Sequence, residues 1–257
     1  MRSLALLAAL FAMALPAHGS ARGDPLLDAL ETELERSMSR LAEQPDPPYF
    51  MAYEVVDAHT VEMHGEDGAF GSVSESRMRQ FDVDVRVGDA SLDNTHPDAE
   101  VDDGNLRRGD YTLPLDDDPA AVRVALWKET DRRYRNAVFR LDQIRANRVV
   151  RVDDEELGDF SVSEPAVWVG DVASLVVDQP RWEDQLRDVS AAFRDSAVVF
   201  DGSVRFSARA ENRYHVNSDG TRLRIPWVHY RVSIDVATLA PEGTQLALFH
   251  AWDASAV

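Results

Sequence analysis

Cysteine is absent from the 257 residues. The chain therefore forms no disulfide and offers no thiolate as nucleophile or metal ligand. Cations are scarce: 27 Lys and Arg stand against 46 Asp and Glu, a formal charge of −19. Nucleic acid binding needs clustered cations, so a polyanion is a poor partner, and the acidic excess serves solubility. The chain has no Gly-Xaa-Ser-Xaa-Gly elbow, no glycine-rich phosphate loop and no dinucleotide fingerprint. It has no repeat of fixed period and no low-complexity tract. Beyond the N-terminal run described next, no apolar stretch reaches membrane-spanning length.

Met1–Ala21 has the pattern of a secretory signal. Arg2 precedes the apolar run Leu4–Leu15, and the small residues Ala17, Gly19 and Ala21 follow. The pattern predicts export to the periplasm or medium, with no membrane span once the signal is removed.

Three helices are predicted. In Asp24–Glu43, Leu26, Leu27, Leu30, Leu34, Met38 and Leu41 form one stripe, with Asp24 as cap and Pro25 at the first helical position. In Asp118–Arg148, Leu126, Tyr134, Val138, Leu141 and Ile144 share a face, and the charged run Lys128–Arg135 reads as solvated. In Pro180–Arg194, Trp182, Leu186, Val189 and Phe193 share a face, with Asp178 as cap.

Strands are predicted at Tyr49–Asp57, Thr60–His64 and Ala69–Val87, with Gly65–Gly68 as a turn, and throughout Ala197–Trp252. Asn217, Ser218, Asp219 and Gly220 predict a type I′-like hairpin turn, with Gly220 at positive φ. The fold class is α+β: antiparallel sheets with a few amphipathic helices, in two packed subdomains. Their expected limits are 22–110, containing the acidic Asp89–Asp118 loop, and 111–257, ending in a meander. That loop carries ten acidic residues. Its Asp98–Gly104 part fails the calcium-loop order, because Asp103 holds the glycine position and Gly109 the final glutamate position. It reads as solvated chain.

Histidines give no metal motif. His59 and His64 flank Glu62, but a separation of five points them to opposite strand faces. His215, His229 and His250 lie singly in predicted strands.

Four segments together resemble exported TldD/PmbA-type proteins: Pro47–Asp57, Asp84–Asn94, Leu126–Tyr134 and Tyr214–Arg224. They run in order through the chain, and Asn217–Gly220 is similar to that family's Asn-Ser-acid-Gly turn. The family holds zinc metallopeptidases and silent paralogues. The resemblance implies a metal site on a His-Glu-Xaa-Xaa-Xaa-His helix downstream of the sheet. This chain contains no His-Glu dipeptide, so no catalytic or metal residue is carried over. No cofactor is expected in this chain, and zinc would belong to a missing C-terminal half.

The expectation is a non-catalytic half of a TldD/PmbA-like metallopeptidase system, giving peptide-guiding and subunit-contact surfaces. Arg222, Arg224, Trp227 and His229 are the candidate peptide-binding strand. Its partners would be another protein or the missing half, and unfolded peptide. The alternatives are an exported binding or scaffold module without a protease link, or a stand-alone metal-dependent hydrolase using strand histidines.

Overall fold

The computed structural model describes residues 24–98, 101, 111–148, 158–161, 163–240 and 242–256. The expected signal, Met1–Ala21, lies outside them. The fold is α+β. Helices α1 (Pro25–Leu41), α2 (Pro119–Arg148) and α3 (Gln179–Arg194) pack on a sheet built from β1 (Pro48–Glu66), β2 (Ala69–Asp89), β3 (Leu92–Asp93), β4 (Tyr111–Thr112), β5 (Val167–Val169), β6 (Asp201–Asn217), β7 (Arg222–Leu239) and β8 (Gln245–Ala256). The strand order is β3-β2-β1-β6-β7-β5, with β4 also on β2 and β8 also on β7. All pairs are antiparallel except β5 with β7.

The helix caps follow the predicted chemistry. Asp24 accepts from the Leu26 and Leu27 amides at 2.9 and 3.1 Å, and Asp178 accepts from Arg181 at 3.3 Å. The two strands expected before and after Asp57 are one, because Asp57–His59 keep their ladder partners on β2 and β6. The turn after β1 is tighter than the predicted Gly65–Gly68. Gly65 and Glu66 stay in the ladder, and Asp67 and Gly68 alone turn, with φ of 50° and 77°. Two successive positive φ angles are what a type I′ hairpin requires.

Strand alternation sends every helix to one face. Val55 pairs with Tyr214 and Met63 with Phe206, so these residues share a side. Tyr53, Val55, Val83, Tyr214, Leu27, Leu30 and Leu126 belong to one buried cluster under α1 and α2. Met63, Phe206, Ala208 and Leu186 belong to a second under α3, where Trp182 stacks on Phe206 at 3.8 Å between ring centres.

Two expectations are corrected here. The Lys128–Arg135 run is not a uniformly solvated face: Glu129 and Arg133 are buried, 2.8 Å apart, and Arg133 also reaches Asp82 at 2.7 Å. The acidic loop is not simply solvated either. Asp93, Asn94, His96, Val101 and Leu113 are buried, while residues 99–100 and 102–110 lie outside those described. The Asn94 amide takes the place of a strand against β2. It accepts from the Val87 amide at 2.8 Å and donates to the Val85 carbonyl at 3.2 Å.

Leu126 and Leu186, one from each cluster, are fully buried. Leu126→Ala and Leu186→Ala are each expected to cost about 2–5 kcal/mol. Because β1 is laddered to β2 and β6 past both clusters, each variant should still melt in one transition by calorimetry. Two resolved transitions would show that the clusters unfold separately.

Candidate functional site

The Asn217–Gly220 turn is held by its own side chains. Asn217 Oδ1 accepts from the Asp219 and Thr221 amides at 3.1 and 2.9 Å, and the Gly220 amide donates to the Asn217 carbonyl at 3.2 Å. Ser218 fastens the turn to β1. Its amide donates to the Met51 carbonyl at 2.8 Å, and its Oγ accepts from the Met51 amide at 3.1 Å. The type I′ expectation is corrected, since Gly220 alone has positive φ, at 99°. A left-handed glycine closing the turn, after two residues of negative φ, gives the longer hairpin loop. The turn lines a cavity of about 280 Å3 with Glu31, Leu34, Glu35 and Met38 of α1.

The predicted strand residues fall on two faces. Arg222 and Arg224 turn toward α1. Arg222 pairs with Asp28 at 3.1 Å and Glu31 at 2.8 Å. Arg224 pairs with Asp24 and donates to the Gly170 carbonyl at 2.7 Å. Trp227 and His229 lie on the opposite face, stacked with ring centres 5.2 Å apart. His229 and Arg231 both reach Asp253, at 2.8 and 2.7 Å. The β7 backbone is flanked on both sides. β6 takes one edge; β5 takes Arg222–Arg224 and β8 takes Val228–Leu239 on the other. A peptide strand added there would have to displace β5 or β8.

A cleft of about 470 Å3 lies between α2 and β2, lined by Phe50, Glu54, Asp82, Asp84, Arg86, Arg133, Arg140, Phe160 and His215 among others. Arg86 lies over the Phe160 ring at 4.7 Å and pairs with Asp84 and Asp93 at 3.1 and 3.2 Å. Asp93 is fully buried and also accepts from the Tyr49 hydroxyl at 2.6 Å. Burial, helped by the bond to Asp93, raises the Tyr49 phenol well above its ordinary range. Arg140 donates to the carbonyls of Asn94 and His96 at 2.6 and 3.0 Å. These cations are committed to the protein's own acids and carbonyls. Burial holds His215 below the ordinary histidine value, against the opposing pull of Glu54 and Asp84.

The histidines do not converge. His215 pairs with Leu223 and His229 with Arg209, well separated along the sheet, and His250, opposite Ile234, points to the helix side. Among the described residues no group of three or more His, Asp or Glu could hold a metal ion.

The sheet presents two outer edges of contrasting chemistry. Along the outer half of β2, Ser72, Ser74, Glu75, Ser76 and Arg77 are exposed, together with the apolar Val73 and Met78. Among the described residues β8 pairs on one side only, with β7. Leu246, Leu248, Phe249 and Trp252 on β8 are 53, 65, 59 and 39 % exposed. Asp253 is the only charged residue of β8 and is already paired. Gln245–Trp252 lies within the Ala197–Trp252 stretch read as strands, and the strand runs on to Ala256; that it forms an edge was not legible, because edge position depends on which strands pair.

No family profile and no curated protein sequence matches the chain. Among solved structures it is similar to TldE from Thermococcus kodakarensis, at 11% identity and a TM-score of 0.48, covering 88% of this chain and 42% of that one. It is also similar to a proposed modulator of DNA gyrase from Thermotoga maritima (7% identity, TM-score 0.46, 88% and 43% covered). A third is the proposed modulator of DNA gyrase from Bacteroides thetaiotaomicron (10% identity, TM-score 0.42, 88% and 44% covered). These structural neighbours are of the TldD/PmbA kind. The chain spans less than half the length of each.

Two measurements probe the turn and the cleft. A Cβ at Gly220 would meet only Pro165 Cβ, at 3.7 Å, so Gly220→Val is strained by backbone conformation alone. It should lose about 1–3 kcal/mol in urea unfolding; unchanged stability would show that the turn relaxes freely. The unfolded chain protonates histidine more readily than folded His215 does. Stability should therefore fall as pH drops below about 6.5, with the His215 share absent above that value. His215→Gln should flatten this part of the stability profile.

Proposed function

We propose that this chain is a non-catalytic docking module, the subunit-contact and peptide-guiding half of a TldD/PmbA-like metallopeptidase system, acting outside the cytoplasm. The observation that carries the docking reading is β8, which among the described residues pairs on one side only and exposes four large apolar side chains. An unpaired strand edge presents a row of main-chain donors and acceptors to an incoming strand. Such main-chain pairing gives affinity with little side-chain demand, and the exposed apolar residues add side-chain contacts. The outer half of β2 exposes only Val73 and Met78 among serines and charges, which supports the choice of β8 over that edge. The system is named by the sequence resemblance at Tyr214–Arg224 and the three segments before it. The expected peptide strand moves from β7 to β8, because β7 is already flanked.

The test is a titration with an eight-residue peptide of alternating apolar and polar residues. Binding should slow hydrogen exchange along Ala247–Trp252, and Trp252→Glu should weaken it about tenfold with circular dichroism unchanged. Peptide that fails to bind, or that protects another segment, would sink the reading. The same mixtures should show no peptide hydrolysis, with or without added zinc. Turnover abolished by a chelator and by His215→Gln would make the chain an enzyme instead.

A further inference from the structure

We infer that the cavity beneath the Asn217–Gly220 turn receives the guanidinium of an arginine on a peptide partner. No residue of β8 lines this cavity, so the inference is independent of the docking reading above. A helix followed by a long hairpin occurs twice in the fold, as α1 with β1 and β2 and as α3 with β6 and β7. Each helix has an aspartate cap and a proline at its start. Each hairpin turns on Asp-Gly with the glycine at positive φ, Asp67-Gly68 and Asp219-Gly220. β1 and β6 pair antiparallel at the centre of the order β2-β1-β6-β7. Antiparallel neighbours are related by a two-fold axis normal to the sheet, and here that axis roughly exchanges the two units. Each turn then faces the other unit's helix: Gly68 lies beside Ser190 and Ala191 of α3, and Gly220 lies across the cavity from α1.

The two turns are closed differently. At the first, the Gly68 amide donates to Ser190 Oγ at 3.0 Å, and Arg194 Nη1 donates to the Asp67 carbonyl at 3.5 Å. A Cβ on Gly68 would meet that Nη1 at 2.9 Å and Ala191 Cβ at 3.2 Å, so the space is filled. Counted back from the helix ends, Ser190 and Arg194 correspond to Ser37 and Leu41 of α1. Neither serves the second turn. Ser37 is buried and donates to Glu33, and Leu41 carries no donor and packs on the core. Among the described residues no hydrogen bond links α1 to Asn217–Gly220. The cavity of about 280 Å3 is what the missing donors leave.

The walls of the cavity match the group that Arg194 supplies at the first turn. Glu31 and Glu35 bring carboxylates, and Ser218 and Thr221 bring hydroxyl acceptors. Leu34 and Met38 give an apolar wall for an aliphatic stem. Glu31 is already paired with Arg222 at 2.8 Å, whereas Glu35 makes no ion pair among the described residues. A guanidinium meets a carboxylate through two parallel bonds and keeps further donors for a hydroxyl. The cavity is smaller than the roughly 300–1,000 Å3 of small-molecule pockets and suits a single side chain. The net charge of −19 adds a long-range pull on a cationic peptide, which salt screens.

The experiment is a titration of the purified full chain, followed by amide chemical shifts. The probe is a capped peptide with one arginine among glycines and serines. Shifts should centre on Leu34–Met38 and Ser218–Thr221, and binding should weaken as salt rises from about 0.05 to about 0.5 M. Citrulline in place of the arginine keeps the shape and loses the charge, and should weaken binding about tenfold. Glu35 is exposed, so Glu35→Gln should keep the fold and weaken binding about fivefold. Leu41→Arg gives α1 the cation that Arg194 gives α3 and should block the site. Met38→Trp fills the cavity without a charge and should block it as well. A citrulline peptide that binds equally overturns the inference, as does full binding by Glu35→Gln or by Met38→Trp. No binding at low salt overturns it too. Shifts confined to Ala247–Trp252 also overturn it, while leaving the docking reading standing.

Discussion

The register of β1 is the constraint on which the rest of the molecule depends. The strand is laddered to β2 from Pro48 to Glu66 and to β6 from Ala52 to Glu66. Tyr53, Val55, Val61 and Met63 therefore all point to the helix side, under two different helical layers. A slip of one residue would bury Glu54 and Glu62 there and expose those four. The Ser218 pair with Met51 continues the β6 ladder past the turn, so the hairpin loop takes its position from β1 as well.

Charged residues carry an unusual share of the packing between layers. Glu33 on α1 is buried and binds both Arg36 and Arg123, which ties α1 to α2. Arg79 is buried and bridges Asp57 and Asp117. Asp93 gathers Tyr49, Arg86 and the Thr95 amide. Burying such groups is costly unless every donor and acceptor is matched, and among the described residues no buried side-chain polar atom lacks a partner. These networks add specificity of arrangement where aliphatic contact would be less directional.

That choice explains what could be read from the sequence and what could not. The stripes of α1 and α3, their aspartate caps and the alternation of Phe81–Val87 follow local rules, and the structure has them. Helix α2 was harder to read because Glu129, Arg133 and Arg140 occupy buried positions, which interrupts the apolar period. The acidic loop looked solvated because composition does not reveal that Asn94 completes a sheet edge or that Arg140 reaches three of the loop's carbonyls. The candidate strand at Arg222–His229 was correctly read as a strand. Its availability was not legible, since the residues that flank it, Val167–Val169 and Gln245–Ala256, are distant from it or follow it by a loop.

The unequal edges of the sheet give the molecule a valence. Near its inner end β2 is closed by β3, β4 and the Asn94 amide, and its outer half sets Val73 and Met78 among serines and charges. Among the described residues the apolar edges are β8 and the short strand β5, whose Val167, Trp168 and Val169 are all exposed, and both lie beside β7. A sheet with two receptive edges can grow head to tail without limit, as fibres do. A sheet whose receptive strands both flank β7 can grow on that side alone. The unlike edges thus bias any added strand to one side of the sheet, where β5 and β8 flank β7.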